Sequence, residues 1–164
     1  MSGEAGRGDI PRREGGATEA EADMRLESQL CFAFYTANHM IVRLYRAQLE
    51  PLGLTFPQLL VLMVLWERAP CTLGDIGDAI ELDSGTLTPL VKRMEANGFV
   101  TRRRDPYDER RVIVELTSAG RAFREQAVEI RRNALRVLGL EKGGAAELRA
   151  ALQTVAARAK QAIS

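Results

Sequence analysis

Cys31 is one of two cysteines in the chain; the other is Cys71. A thiol meets oxidants as its thiolate, so a sensing cysteine needs access and a lowered pKa. Cys31 falls early in an amphipathic stretch, where a helix N-terminus favours negative charge. Its neighbours Leu30, Phe32 and Phe34 suit a hydrophobic organic oxidant. A small buried hydrophobe is the alternative use of such a residue. Cys71, beside Pro70, reads as incidental. A second group, Ser84, Thr86, Thr88, Lys92 and Arg93, offers hydroxyls and cations along one stretch. Such residues reach base edges and phosphates, or serve as caps and a solvated face. A third group, Arg102, Arg103, Arg104, Arg110 and Arg111, brackets the acidic turn 105–109. An arginine at a hairpin tip can enter a narrow minor groove, where the potential is most negative. A solvated charged face is the plain alternative.

The elements that must position these groups follow from periodicity. Apolar residues in steps of three and four from Arg25 to Glu50 predict a long amphipathic helix, ended by Pro51 and Gly53. Thr55 is a candidate N-cap for a helix to about Arg68 with Pro57 in its first turn. That helix is apolar nearly all round and should be the core. Ala69-Pro70-Cys71 reads as a linker. Thr72 with Asp75 resembles a capping box on a short helix carrying Leu73, Ile76 and Ile80. The next helix holds Leu87, Leu90, Val91 and Met94 on one face and stops at Asn97-Gly98. Pro89 leaves its start open between Asp83 and Thr86. The period then changes to two: Phe99–Arg104 and Arg110–Leu116 predict a hairpin. Thr117 caps a helix to about Leu138, and a last helix carries Leu148, Leu152, Val155 and Ile163.

The fold expected is mainly α with a small β-hairpin wing: a winged helix-turn-helix domain plus a helical dimerisation layer. The domains expected are an acidic disordered tail, 1–24, a dimerisation helix, 25–54, the winged domain, 55–117, and C-terminal dimerisation helices, 118–164. One winged domain cannot bury the apolar faces of the extra helices, so a second copy is the economical partner.

At this point the strings Asp83-Ser84-Gly85-Thr86-Leu87-Thr88-Pro89-Leu90 and Arg104-Asp105-Pro106-Tyr107-Asp108-Glu109-Arg110-Arg111 resemble the MarR family of dimeric winged-helix regulators. Leu30-Cys31-Phe32-Ala33 and Leu49-Glu50-Pro51-Leu52-Gly53-Leu54-Thr55 are similar to its organic-hydroperoxide-sensing branch. The resemblance runs over about residues 28–140. It implies Ser84, Thr86 and Thr88 at the major groove, Lys92 and Arg93 near backbone, and Arg110 in the minor groove with Asp108 positioning it. Arg104 and Arg111 complete the expected DNA-binding set. It also implies a homodimer on a pseudo-palindromic double-stranded operator, and Cys31 as the sensing thiol. In the branch two tyrosines from the other subunit bond the sulfur. The first matches Tyr45, and the second falls at Phe56, which removes one hydroxyl donor. Along one helix Tyr45 is about 21 Å from Cys31 by rise. Tyr35, one turn from Cys31, is a substitute donor.

The expected function is a repressor released from its operator by an organic hydroperoxide at Cys31. The alternative is release by a small aromatic or phenolic ligand in the cleft between dimerisation and DNA-binding domains. Composition is consistent with this. The net charge of +1 joins 23 Lys+Arg to 22 Asp+Glu. It divides into an acidic segment, 1–23, and a basic remainder, so DNA coating by bulk charge is excluded but groove reading is not. Two cysteines exclude a disulfide scaffold and point to a reducing, cytoplasmic compartment. Residues 1–23 lack the apolar core of a signal peptide, and the longest apolar run, Leu59–Trp66, is far short of a membrane span. His39 is the only histidine, so no zinc spacing exists. Without a phosphate loop or a Ser-His-Asp set, no enzyme, cofactor or metal is expected.

Overall fold

Thr55 opens the core helix as its residue type suggests: its backbone N–H donates to Gln58 Oε1 at 2.8 Å. In the computed structural model, which describes residues 24–141 and 143–163, this helix is the second of six. A 3-10 turn, Leu26–Ser28, precedes α1 (Leu30–Leu49), and another, Glu50–Leu52, follows it. Then come α2 (Phe56–Arg68), β1 (Cys71–Thr72), α3 (Leu73–Ile80) and α4 (Ser84–Ala96). The hairpin β2 (Val100–Arg104) and β3 (Val112–Leu116) leads to α5 (Ser118–Val137) and α6 (Gly144–Ile163). The expected first helix is shorter than its periodicity suggested, since residues 26–28 form the 3-10 turn. Of the expected acidic tail, 1–24, residues 1–23 lie outside the described residues.

The chain divides into two units, Met1–His39 and Met40–Ser164. The second holds the core. Leu59, Val61, Leu62, Val64 and Leu65 of α2 are buried with Leu49, Leu54, Ile76, Leu87, Val91, Met94, Val100 and Val114. Each such side chain contributes about 1.5–3 kcal/mol by leaving water. The sheet order is β1-β3-β2, all antiparallel, with Cys71 and Arg102 both opposite Val114. Cys71, expected to be linker, and Thr72, the expected cap, form a third strand on the outer edge of β3. Two residues are too few to show alternation, and their pairing partners, Val114 and Ile113, are far along the chain.

The base of the wing is locked at one point. Thr117 caps α5, accepting from Gly120 N–H at 3.0 Å, and its own hydroxyl donates to the Gly98 carbonyl at 2.6 Å. A Cβ on Gly120 would lie 2.1 Å from the Phe99 carbonyl oxygen, so only glycine permits this approach. Trp66 of α2 donates its indole N–H to the Gly120 carbonyl at 2.9 Å. Farther up, Asn97 Nδ2 donates to the Gly53 carbonyl at 3.0 Å and Asn133 Nδ2 to Gln48 Oε1 at 2.8 Å. These bonds tie α4 and α5 to the two ends of the α1–α2 turn region.

The remaining helical surface is of another kind. α6 has no buried residue, and its Leu148, Leu152, Val155 and Ile163 are exposed. Met24, Leu26, Leu30, Phe32 and Tyr35 of the first unit are exposed as well. Among the described residues no single helix is long and apolar enough to cross a membrane.

Candidate nucleic-acid interface and thiol sites

The helix-turn-helix is built from two caps and one tight approach. Thr72 and Asp75 form the capping box of α3: Asp75 N–H donates to Thr72 Oγ1 at 3.1 Å, and Thr72 N–H to Asp75 Oδ2 at 3.0 Å. That pairing holds the Asp75 carboxyl below the usual carboxylate range. α3 ends at Glu81, whose φ of 54° is left-handed. A non-glycine residue there costs about 1 kcal/mol. A Cβ on Gly77 would sit 2.8 Å from the Leu82 carbonyl oxygen, so the turn folds back against a bare backbone.

Asp83 is the N-cap of α4, which settles the boundary that Pro89 had left open: the helix begins at Ser84 and contains Pro89. Thr86 donates its N–H to Asp83 Oδ1 at 3.0 Å and its hydroxyl to Asp83 Oδ2 at 2.8 Å. These bonds pull the Asp83 carboxyl below its ordinary range. Leu87, Leu90, Val91 and Met94 face the core. Ser84, Thr86, Lys92 and Arg93 are exposed, and Thr88 is half-buried.

The wing sorts its arginines. Arg102 is drawn inward: its backbone N–H, Nε and Nη2 donate to the Glu95 carboxylate at 2.9, 2.9 and 2.7 Å. Hydrogen bonding to Arg102 lowers the Glu95 carboxyl. Arg103 reaches across the hairpin to Glu115 at 3.0 Å. Arg104 donates to the Glu109 carbonyl at 2.6 Å. Asp108 holds Arg110 as expected, accepting from its Nε and N–H at 3.1 Å each. Asp105 instead accepts from Tyr107 N–H at 2.9 Å and shapes the turn. Arg110 remains 91% exposed while so held. Among the described residues Lys92, Arg93 and Arg111 enter no ion pair.

Between α3, α4 and the wing lies an open cleft of about 870 Å³. Ser84, Thr88, Lys92, Arg104, Arg110 and Arg111 line it together, facing the acids Asp75, Asp78 and Asp83. Thr86 and Arg93 are outside that lining. Glu95 and Glu115 were not singled out from the sequence; Glu95, the sole acid between Lys92 and Arg104, carried the only signal.

The two thiols differ sharply. Cys31 is the second residue of α1 and is exposed. Cys71 is 6% exposed, and its Sγ–H donates to the Arg68 carbonyl at 3.1 Å. Burial pushes the Cys71 thiol up, Asp75 adds to this, and Arg68 opposes it. Tyr35 stacks on His39 with ring centroids 6.1 Å apart. Tyr45 and Phe56 are brought together at 4.9 Å. Burial raises the Tyr45 phenol, and Arg131 partly opposes that. Among the described residues no group of three His, Cys, Asp or Glu could hold a metal.

Comparison with known proteins places this geometry. The MarR family model matches residues 54–112. An organic hydroperoxide resistance transcriptional regulator of Bacillus subtilis is 42% identical over 126 residues, 77% of this chain and 84% of the relative. Reduced AbfR bound to DNA is similar with a TM-score of 0.77 and 34% identity, over 88% of this chain and 99% of AbfR. AbfR, from Staphylococcus epidermidis, is also known in a disulfide-formed state. BpsR of Bordetella bronchiseptica, whose DNA binding is regulated by 6-hydroxynicotinic acid, is similar with a TM-score of 0.72 and 25% identity, over 80% of this chain and 96% of BpsR.

Proposed function

Because the chain belongs to the MarR family, we propose that it is a homodimeric DNA-binding repressor released from its operator by oxidation of Cys31. The observation that carries the DNA part is the shared cleft. A capped reading helix and an arginine wing present Ser84, Thr88, Lys92, Arg104, Arg110 and Arg111 to one space. α4 enters the major groove with Ser84, Thr86 and Thr88, while Lys92 and Arg93 meet backbone. Arg110, steered by Asp108, enters the minor groove, with Arg104 and Arg111 beside it. Residues 55–117 are the reading domain. Residues 25–54 and 118–164 supply the dimer layer, whose exposed apolar faces a second copy covers.

Cys31 is the sensor because it is accessible at a helix N-terminus, whereas Cys71 is buried and its thiol pushed up. Its thiolate attacks a hydroperoxide oxygen: the S–O bond forms as O–O breaks, and the departing alkoxide takes a proton from water. The products are a sulfenic acid and an alcohol. On the branch's pattern, a Tyr45 hydroxyl at that sulfur comes from the partner subunit.

A second reading, release by a small aromatic or phenolic ligand, is favoured by Phe56. Its ring packs on Tyr45 and offers no hydroxyl to a sulfur. One experiment separates the two. Operator duplex, obtained by selection from random DNA, is bound by the wild type and by Cys31→Ser before and after cumene hydroperoxide. Loss of binding in the wild type only supports sensing at Cys31. Binding unchanged in both overturns it in favour of the ligand reading.

A further inference from the structure

Thr86 has one hydroxyl proton, and Asp83 Oδ2 takes it at 2.8 Å. The other carboxylate oxygen accepts Thr86 N–H at 3.0 Å, so one residue engages both. Toward solvent, Thr86 Oγ1 is left with lone pairs only. Gly85 protects the arrangement: a Cβ there would lie 3.0 Å from Asp83 Oδ1 and crowd the carboxylate. Thr86 is exposed on the helix that carries the reading residues. An acceptor-only hydroxyl beside a fixed carboxylate repels phosphate oxygens and the carbonyl edges of guanine and thymine. It matches a donor, and the major-groove donors are the exocyclic amino groups of cytosine and adenine. We infer that Thr86, its proton committed to Asp83, reads an amino-bearing base in each half-site and discriminates against keto bases there. This corner of α4 is thus a base reader and not a phosphate anchor. The inference rests on the reading of α4 as the major-groove helix.

Selection of duplexes from a random library by the full-length wild type, Thr86→Val, Thr86→Ser and Asp83→Asn tests it. The wild type enriches one position per half-site in cytosine or adenine. Thr86→Val, of nearly the same shape, relaxes that position alone and weakens binding to the selected duplex roughly two- to tenfold. Thr86→Ser restores the preference. In Asp83→Asn the amide can still accept Thr86 N–H and can donate to Thr86 Oγ1. The hydroxyl proton is then free to face DNA, and the position shifts toward guanine or thymine. The inference is overturned if Thr86→Val selects the wild-type sequence with no position relaxed. It is overturned equally if, at the pair Thr86→Val relaxes, removing the exocyclic amino group (purine for adenine, or 2-pyrimidinone for cytosine) leaves wild-type affinity unchanged. A wild type that enriches no sequence at all overturns instead the DNA-reading assignment beneath it.

Discussion

The winged region and the outer helical segments treat their side chains in opposite ways. In the winged region α2, α4 and the sheet enclose a common core, and the reading groups are held by partners in the same chain. Asp83 takes Thr86, Asp108 takes Arg110, and Glu95 takes Arg102. Along α6 and residues 24–39, by contrast, leucine, valine, methionine and aromatic side chains stand exposed. Side chains of that size gain about 1.5–3 kcal/mol each only when something covers them. The difference teaches that the winged region is completed within one chain, whereas the exposed apolar faces call for a second one; on the proposed reading, the sensing chemistry falls on that second side. Cys31 is exposed at the head of α1.

The sharpest way to break that comparison is to attack the outer helices alone. Leu152 and Val155 are one turn apart on α6 and exposed. The double substitution Leu152→Glu/Val155→Glu should turn the dimer into monomer in sedimentation and cost about 100-fold or more in operator affinity, because bivalent engagement is lost. The winged region should melt as before. Monomers that bind the full operator with wild-type affinity would show that the outer helices do not carry dimerisation. A smaller effect is expected inside the winged region. Arg110→Ala removes a 91% exposed guanidinium without touching the core. Operator binding should fall about tenfold, with a shallower salt dependence by about one unit per half-site contact. Undiminished binding at moderate salt would remove Arg110 from the interface.

How far the sequence could be read follows from how local each cause is. The helices were legible because steps of three and four need no partner, and the α3 capping box because Thr72 and Asp75 are three residues apart. The outward face of α4 followed once Leu87, Leu90, Val91 and Met94 marked the buried one. What stayed hidden is non-local. β1 has two residues and exists because β3 passes beside it. The fates of Arg102 and Arg103 needed the hairpin register. Glu115 stands opposite Thr101, diagonal to Arg103 and within reach of a long side chain. A run of three arginines therefore looked like one basic edge, although two of the three are spent on Glu95 and Glu115. The sensing role proposed for Cys31 rests on resemblance, because no local pattern around it in the sequence marks a partner for its sulfur.

The smallest expected effect probes the most local stitch of the winged region. Glu95 on α4 accepts three hydrogen bonds from Arg102 on β2, so it fixes the wing to the reading helix. Its folded pKa lies below its ordinary value. Its contribution to stability is therefore complete above the ordinary glutamate range near about 4.3 and lost as pH falls through the lowered folded value. The pair is partly open to solvent, 22% and 35% exposed, so about 1 kcal/mol is the size expected. Glu95→Gln should lose that amount at pH 7 in urea unfolding followed by Trp66, the only tryptophan. The gap to wild type should close as both proteins are taken toward pH 3. Equal stability at pH 7 would mean that the wing is held by its strand pairing and by Thr117 and Gly120 at its base, with Glu95 only neutralising an arginine that would otherwise face the DNA.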